Sequence, residues 1–284
     1  MTPSPATTAE KRRVFRELHE SGCFVIPNPW DVGSARYLQS LGFKALASTS
    51  SGAAWSQGLP DNGLSRGQVL EHLRTMAAAT DLPLNADFEN GFAADAAGVG
   101  ESVRLAVETG VAGVSIEDSI SARDRAADSR SPGDGPLFPL EMAVERVRAA
   151  RRAIDAAGGD VMLIGRAECF LVGLPDIEMT VTRLKAYAEA GADCLYAPGI
   201  KTAAQIRAVV EAVRPKPVNL LVGAPGDLSL AQISELGVRR VSVGGALARV
   251  AWGGFMRAAR ELAQQGSFDG LAGAAAHQSL NTLF

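Results

Sequence analysis

The hydrophobic pattern of this chain changes period again and again, and that alternation limits its fold more than any other feature. Short apolar and β-branched runs occur at Cys23 to Ile26, Ala45 to Thr49, Leu82 to Asp87, Gly113 to Glu117, Val161 to Arg166, Cys194 to Ala197, Val218 to Val222 and Arg240 to Val243. Between them lie longer amphipathic stretches, among them Arg66 to Thr80, Val99 to Thr109, Leu140 to Ala157, Asp176 to Ala190, Ala203 to Val213 and Ala246 to Gln265. Strands separated by helices of this length pair in parallel, each helix serving as the crossover to the next strand. Four of the strands are entered through a glycine, at Gly42, Gly110, Gly191 and Gly237, where a helix has to stop before the chain turns into the sheet. Eight such units in 284 residues predict an α/β fold, a (β/α)8 TIM barrel.

No stretch has the composition of an interdomain linker, so residues 1–284 are expected to form one barrel domain. A disordered polar tail is expected over about residues 1–7 and a mobile active-site loop over about 118–138. An extra N-terminal helix is expected at Thr8 to Glu20, and a C-terminal helical arm over about 267–284 with its helix at Leu271 to Leu283. The arm ends in Leu283 and Phe284 and is apolar enough to need a docking surface, which points to a homo-oligomer. The formal net charge of −3 provides no basic field for nucleic acid or an anionic membrane, and no run approaches the length of a membrane span. A soluble, cytoplasmic protein with a small-molecule partner is expected. Cys23, Cys169 and Cys194 are odd in number, lack CxxC spacing and read as buried packing residues rather than a disulfide framework or a zinc site.

A β/α barrel carries its active site on the C-terminal ends of its strands. Polar residues gather there. The second strand runs into Ser48-Thr49-Ser50-Ser51-Gly52, and the third ends Asp87-Phe88-Glu89-Asn90-Gly91. The fourth ends Ser115-Ile116-Glu117-Asp118, the fifth ends Gly165-Arg166-Ala167-Glu168, and the seventh carries Asn219. Asp87, Glu89 and Glu117, with Asp61 in the loop after the second strand, would repel one another if brought together. An oxygen-only set without histidine suits Mg2+ or Mn2+ rather than zinc. Taken singly, each carboxylate suits a helix cap or an arginine pair equally well.

The stretches Pro27-Asn28-Pro29-Trp30-Asp31, Ser50-Ser51-Gly52-Ala53, Asp87-Phe88-Glu89-Asn90-Gly91-Phe92, Ser115-Ile116-Glu117-Asp118 and Gly165-Arg166-Ala167-Glu168 resemble, in order and spacing over nearly the whole chain, the isocitrate lyase/phosphoenolpyruvate mutase superfamily. Within it the chain looks like the oxaloacetate decarboxylase and 2-methylisocitrate lyase branch. The resemblance implies a barrel whose last helix is swapped between subunits of a dimer or tetramer, with Mg2+ over the strand ends. By motif, Asp87 would bind the metal directly, and Glu89, Glu117 and Asp61 would hold its water ligands. The Ser51-Gly52-Ala53 backbone would cradle a substrate carboxylate, and Arg166 would face that anion or an enolate oxygen. The chemistry implied is cleavage of a carbon–carbon bond next to the carbonyl or hydroxyl carbon of a small 2-oxo or 2-hydroxy di- or tricarboxylate. The product is a pyruvate-like enolate whose charge the site takes up.

The loop after the fourth strand departs from the better-known members. From Asp118 to Leu140 there is no Cys, Lys or His, so the cysteine acid of the isocitrate lyases and the lysine of the phosphonopyruvate enzymes are both missing. Arg123 lies near the lysine position, with Arg125 close by, and suits either substrate binding or a solvated loop surface. Asn219 suits a distal substrate carboxylate or the barrel's own backbone, and Trp55 and Tyr196 suit the pocket wall or the core. Two rival functions stand beside the lyase: carbon–phosphorus chemistry on phosphonopyruvate or phosphoenolpyruvate, and a non-catalytic dicarboxylate-binding barrel.

Overall fold

The computed structural model describes residues 5–121 and 135–284. Thr7 opens α1 (Thr8–Leu18) with a capping box to Glu10. The barrel begins with β1 (Phe24–Ile26), α2 (Val32–Ser40), β2 (Leu46–Ala47), α3 (Ser50–Ser56), α4 (Arg66–Ala78), β3 (Leu84–Asp87) and α5 (Ala96–Val107). It continues with β4 (Gly113–Glu117), α6 (Leu140–Ala156), β5 (Met162–Arg166), α7 (Ile177–Glu189), β6 (Cys194–Tyr196) and α8 (Ala203–Val213). β7 (Val218–Leu221), α9 (Leu230–Glu235), β8 (Arg240–Ser242) and α10 (Ala246–Gln265) complete it, and a 3-10 turn (Asp269–Gly273) and α11 (His277–Leu283) follow.

All strand pairs are parallel, in the order β1-β8-β7-β6-β5-β4-β3-β2. The Ala47 N–H donates to the Pro27 carbonyl at 3.1 Å and draws β2 toward the end of β1, so the eight strands form a nearly closed barrel. The interior is filled by Phe15, Ile26, Ala45, Ala47, Met162, Ile164, Cys194 and Tyr196, while a larger apolar layer lies between the sheet and the helices. Phe15 is fully buried and plugs the barrel from below. Gly113 makes this possible: a Cβ there would lie 2.7 Å from the Phe15 ring and 2.6 Å from Asn85 Oδ1, so any side chain would expel one of them.

Several segments differ from the sequence reading. The second strand stops at Ala47 rather than Thr49, because Thr49 turns to cap α3, its hydroxyl accepting from the Gly52 N–H. Helices α2, α3 and α9 are additional to those expected. The C-terminal helix is broken into the 3-10 turn and α11, and the Phe284 ring returns to Gly33 of α2. At the other end the polar tail is tied down from Ala6, whose N–H donates to Asp81 Oδ1 at 3.1 Å. The loop after β4 has a closed root: Ser119 and Leu137 form an antiparallel bridge, and the Phe138 N–H donates to the Asp118 carbonyl at 2.9 Å. Arg123 and Arg125 lie outside the described residues.

Candidate active site

Strand alternation brings the last residues of β3, β4 and β5 together on the inner face at the barrel mouth. Arg166 is the point at which they meet. Its Nη1 lies 3.1 Å from Asp87 Oδ1 and 3.2 Å from Glu117 Oε2, its Nε donates to Glu168, and its guanidinium stands 5.1 Å from the centre of the Tyr196 ring. Burial alone would weaken this cation, but Glu168, Glu117, Tyr196 and Asp87 together hold it firmly protonated. The second oxygen of Asp87 accepts from the Ser50 N–H and from the Ser50 hydroxyl, both at 3.0 Å. That hydroxyl also lies 3.5 Å from Asp61, which stands at the outer lip of the pocket.

Among the described residues the mouth is short of positive charge. Arg166 faces Asp87, Glu117 and Glu168, with Asp61 beyond. Burial raises the pKa of Glu117 against the pull of Arg166, and Asp87 and Asp118 raise it further. Burial likewise pushes Glu168 up to about 8. Partial burial of its carboxyl and the charge of Asp87 raise Asp61. Among the described residues no three acidic, histidine or cysteine side chains converge closely enough to enclose a metal, because Arg166 reaches between Asp87 and Glu117. The donor set, carboxylates and one hydroxyl with too few cations to balance them, nevertheless has the chemistry that a hard divalent ion requires.

A cavity of about 190 Å3 extends from this mouth into the barrel. It is smaller than the roughly 300–1,000 Å3 typical of sites for drug-sized ligands, and so is scaled for a small metabolite. Asp61, Ser51, Asp87, Arg166 and Asn219 line it. Glu117 does not, and acts on it through Arg166. Glu89 is buried with φ +48°, and its carbonyl accepts from the Glu117 N–H at 3.0 Å, so its backbone joins β3 to β4.

The expected backbone cradle at Ser51-Gly52-Ala53 takes another form. The Gly52 N–H donates to the Thr49 hydroxyl and the Ala53 N–H to the Thr49 carbonyl, so both amides belong to the first turn of α3. A Cβ on Gly52 would stand 2.8 Å from Trp30 Cβ and 2.7 Å from Thr49 Cγ2, so packing already accounts for this glycine. Of that segment Ser51 lines the cavity, together with Ser48, Thr49 and Ser50 before it, and Gly52 and Ala53 do not. Trp55 is half-buried and does not line it, whereas Tyr196 does.

Two functional elements were not expected from the sequence. Arg240 and Ser242, at alternate positions of β8, line the cavity from its depth. An arginine opening an apolar strand was the available signal, since an inward-facing cation has to meet something polar. The other is the support beneath the mouth. The Asp118 carboxylate accepts from the Tyr187 hydroxyl at 2.6 Å, from Arg183 Nη1 at 3.1 Å and from the Glu168 N–H at 2.8 Å. Arg183 Nη1 also donates to the Phe138 carbonyl at 3.1 Å, so one buried cluster fixes both the loop root and the end of β5.

Fold and site together define an enzyme of the β/α-barrel class, with its charged groups on the C-terminal ends of adjacent strands. A family model described as phosphoenolpyruvate phosphomutase matches residues 15–263. An oxaloacetate decarboxylase from Paraburkholderia xenovorans (strain LB400) is 32% identical over 237 residues, covering 82% of this chain and 75% of the relative. A 2-methylisocitrate lyase from Escherichia coli (strain K12) is 32% identical over 179 residues, covering 62% of this chain and 57% of the relative. A solved structure from Burkholderia cenocepacia J2315, provisionally described as a lyase/mutase, superposes with TM-score 0.89 at 45% identity over 97% of this chain and 96% of that one. The chain belongs to the phosphoenolpyruvate mutase/isocitrate lyase superfamily. It is therefore an enzyme of the lyase and mutase type.

Proposed function

We propose that the protein is a Mg2+-dependent lyase that cleaves the carbon–carbon bond next to the carbonyl or hydroxyl carbon of a small 2-oxo or 2-hydroxy di- or tricarboxylate. The observation that carries this reading is the convergence of Asp87, Glu117 and Asp61 with Arg166 at one cavity mouth, where acidic oxygens outnumber the described cations. Asp87, with Glu117, Glu89 and Asp61 as outer carboxylates, would hold the ion, which when bound supplies a Lewis acid for the 2-oxygen and the neighbouring carboxylate. The chain's own groups supply the rest. Arg166 places a fixed positive charge where negative charge gathers as the bond parts, and Glu168 and Tyr196 keep it from turning away. Ser50 orients Asp87 through two hydrogen bonds, and Ser51 offers a hydroxyl to a substrate carboxylate. No Cys, Lys or His lies between Asp118 and Leu140, and a decarboxylation or retro-aldol cleavage asks least of that loop, since solvent can supply the proton that quenches the enolate.

Oxaloacetate heads the assay panel because a relative bears the name oxaloacetate decarboxylase, and 2-methylmalate-type acids and phosphonopyruvate complete it. The expected result is turnover of a carbon–carbon substrate that stops on chelation and returns with Mg2+. The family model favours one rival, carbon–phosphorus chemistry. Pyruvate released from phosphonopyruvate alone would reject the lyase in its favour. The outward face of α10, with Val250, Phe255 and Met256 exposed, is read as the contact with a second copy that exchanges the C-terminal arm. Sedimentation as a monomer at micromolar concentration would refute that part.

A further inference from the structure

The floor of the cavity holds a positive charge that the reaction at the mouth does not use. Arg240 is 2% exposed, yet among the described residues no carboxylate pairs with it. Its hydrogen-bond acceptors are two neutral amide oxygens, Asn219 Oδ1 at 2.8 Å from Nε and Asn85 Oδ1 at 3.4 Å from Nη1. Arginine only donates, so the Asn219 amide has to turn its oxygen toward it, and its Nδ2 then donates to the Ser242 hydroxyl at 3.0 Å. Asn219 is thus committed to holding Arg240. The ionisable neighbour at this depth, His19 at the C-cap of α1, is pushed down to about 3 by burial and then by the charge of Arg240, so it stays neutral, and in neither protonation state could it offer the guanidinium a negative charge. A buried guanidinium held by amides on one side and facing a cavity on the other has the form of half an ion pair.

Strand register gives its depth. Glu117, Arg166, Tyr196, Asn219 and Arg240 are successive Cα partners across β4 to β8. Such a row runs across tilted strands, so in a barrel tilted by about 36° with strands about 4.8 Å apart, three strand steps from Arg166 displace Arg240 by roughly 8 Å along the axis. The contact with Asn85, one inward position below Asp87 on β3, gives the same direction. Three carbon–carbon bonds of about 1.5 Å, with a hydrogen bond of about 2.9 Å at each end, can cover that separation.

We infer that Arg240, oriented by Asn219 and Asn85, is the anchor for a second substrate carboxylate, so that the substrate is a dicarboxylate of about four or five carbons lying along the barrel axis. This rests on the reading of the mouth as the place of the 2-oxygenated end, and it assigns the other end. Three ligands separate the possibilities by calorimetry in Mg2+: oxalate, which fills only the mouth; pyruvate, which has no second carboxylate; and 3,3-difluorooxaloacetate, which has one and does not readily lose it. Arg240→Met is expected to weaken 3,3-difluorooxaloacetate by about 30-fold or more while leaving oxalate and pyruvate within about twofold, as loss of one partner of a buried charge pair predicts. Equal weakening of all three, or of none, would overturn the anchor while leaving the mouth as read. Failure of the unaltered protein to bind any of them would overturn the reading of the mouth, and the anchor with it. Should Arg240→Met not fold, a crystal of the unaltered protein with 3,3-difluorooxaloacetate decides the matter. Its second carboxylate belongs within hydrogen-bond reach of the Arg240 guanidinium, and a complex with that group turned toward the barrel mouth would refute the proposal.

Discussion

The two ends of the barrel interior are charged in opposite senses and are supported in different ways. At the mouth, Asp61, Asp87, Glu117 and Glu168 surround one cation among the described residues, Arg166. At the floor, the described residues that hold Arg240 are neutral amides, above a neutral His19. An excess of anions over a shortage of them, one cavity apart, is a poor arrangement for stability alone, because each end buries charge that the other end could have neutralised. It is a good arrangement for orienting a ligand, since a cation-seeking end and an anion-seeking end fix which way round a polar molecule enters.

The largest expected effect lies at the mouth. Asp87→Ala should lower kcat/KM by at least about a hundredfold, the scale on which one preorganised electrostatic contact is lost from a transition state. Circular dichroism should show the barrel intact, and undiminished turnover would end the assignment of Asp87. Next comes the support below it: Arg183→Met leaves the Asp118 carboxylate buried without its cation and should cost about 3 kcal/mol in urea unfolding. A change of only a few tenths would mean that Tyr187 and the Glu168 N–H suffice. Glu117→Gln keeps the shape but removes a charge, and should weaken Mg2+ binding by about 10- to 100-fold, to be measured by titration. If it proves as damaging as Asp87→Ala, Glu117 is a direct ligand rather than an outer one.

The last effect concerns the floor and shows only in acid. His19 is buried against Phe15 and Phe24, its Nδ1 lies 2.7 Å from the Phe15 carbonyl, and its pKa falls from 6.5 to about 3 through burial first and Arg240 second. The unfolded chain therefore takes up a proton that the folded one refuses. The neutral ring's contribution is complete above about pH 6.5 and is lost as pH falls toward 3, with a slope approaching about 1.4 kcal/mol per pH unit. His19→Gln should flatten the stability profile in that window, and an unchanged slope would show that other groups carry the acid sensitivity.

All eight strands could be read from the sequence because each is a short apolar run entered or left by a helix, a pattern set by local periodicity. The helices that escaped notice, α2, α3 and α9, have 9, 7 and 6 residues, and spans so short carry little periodicity of their own. At the site, Asp87, Glu117 and Arg166 stood out as polar residues ending apolar strands. Arg240 did not, because it begins its strand. Its importance arises from tilt and register, which bring the start of β8 beside Asn219 and Asn85. The roles of Gly52 and Trp55 were also beyond the sequence, since whether an amide faces a ligand or caps a helix depends on where Thr49 turns the chain.

The closed root of the loop after β4 has a consequence for how such enzymes diverge. Asp118, Phe138, Arg183 and Tyr187 clasp the two ends of the segment against the barrel wall, whatever lies between them. A segment clasped in this way can be lengthened, shortened or rewritten with little disturbance to the strands that carry Asp87, Glu117 and Arg166. One barrel can then acquire a new proton donor, or lose one, as a replaceable cassette.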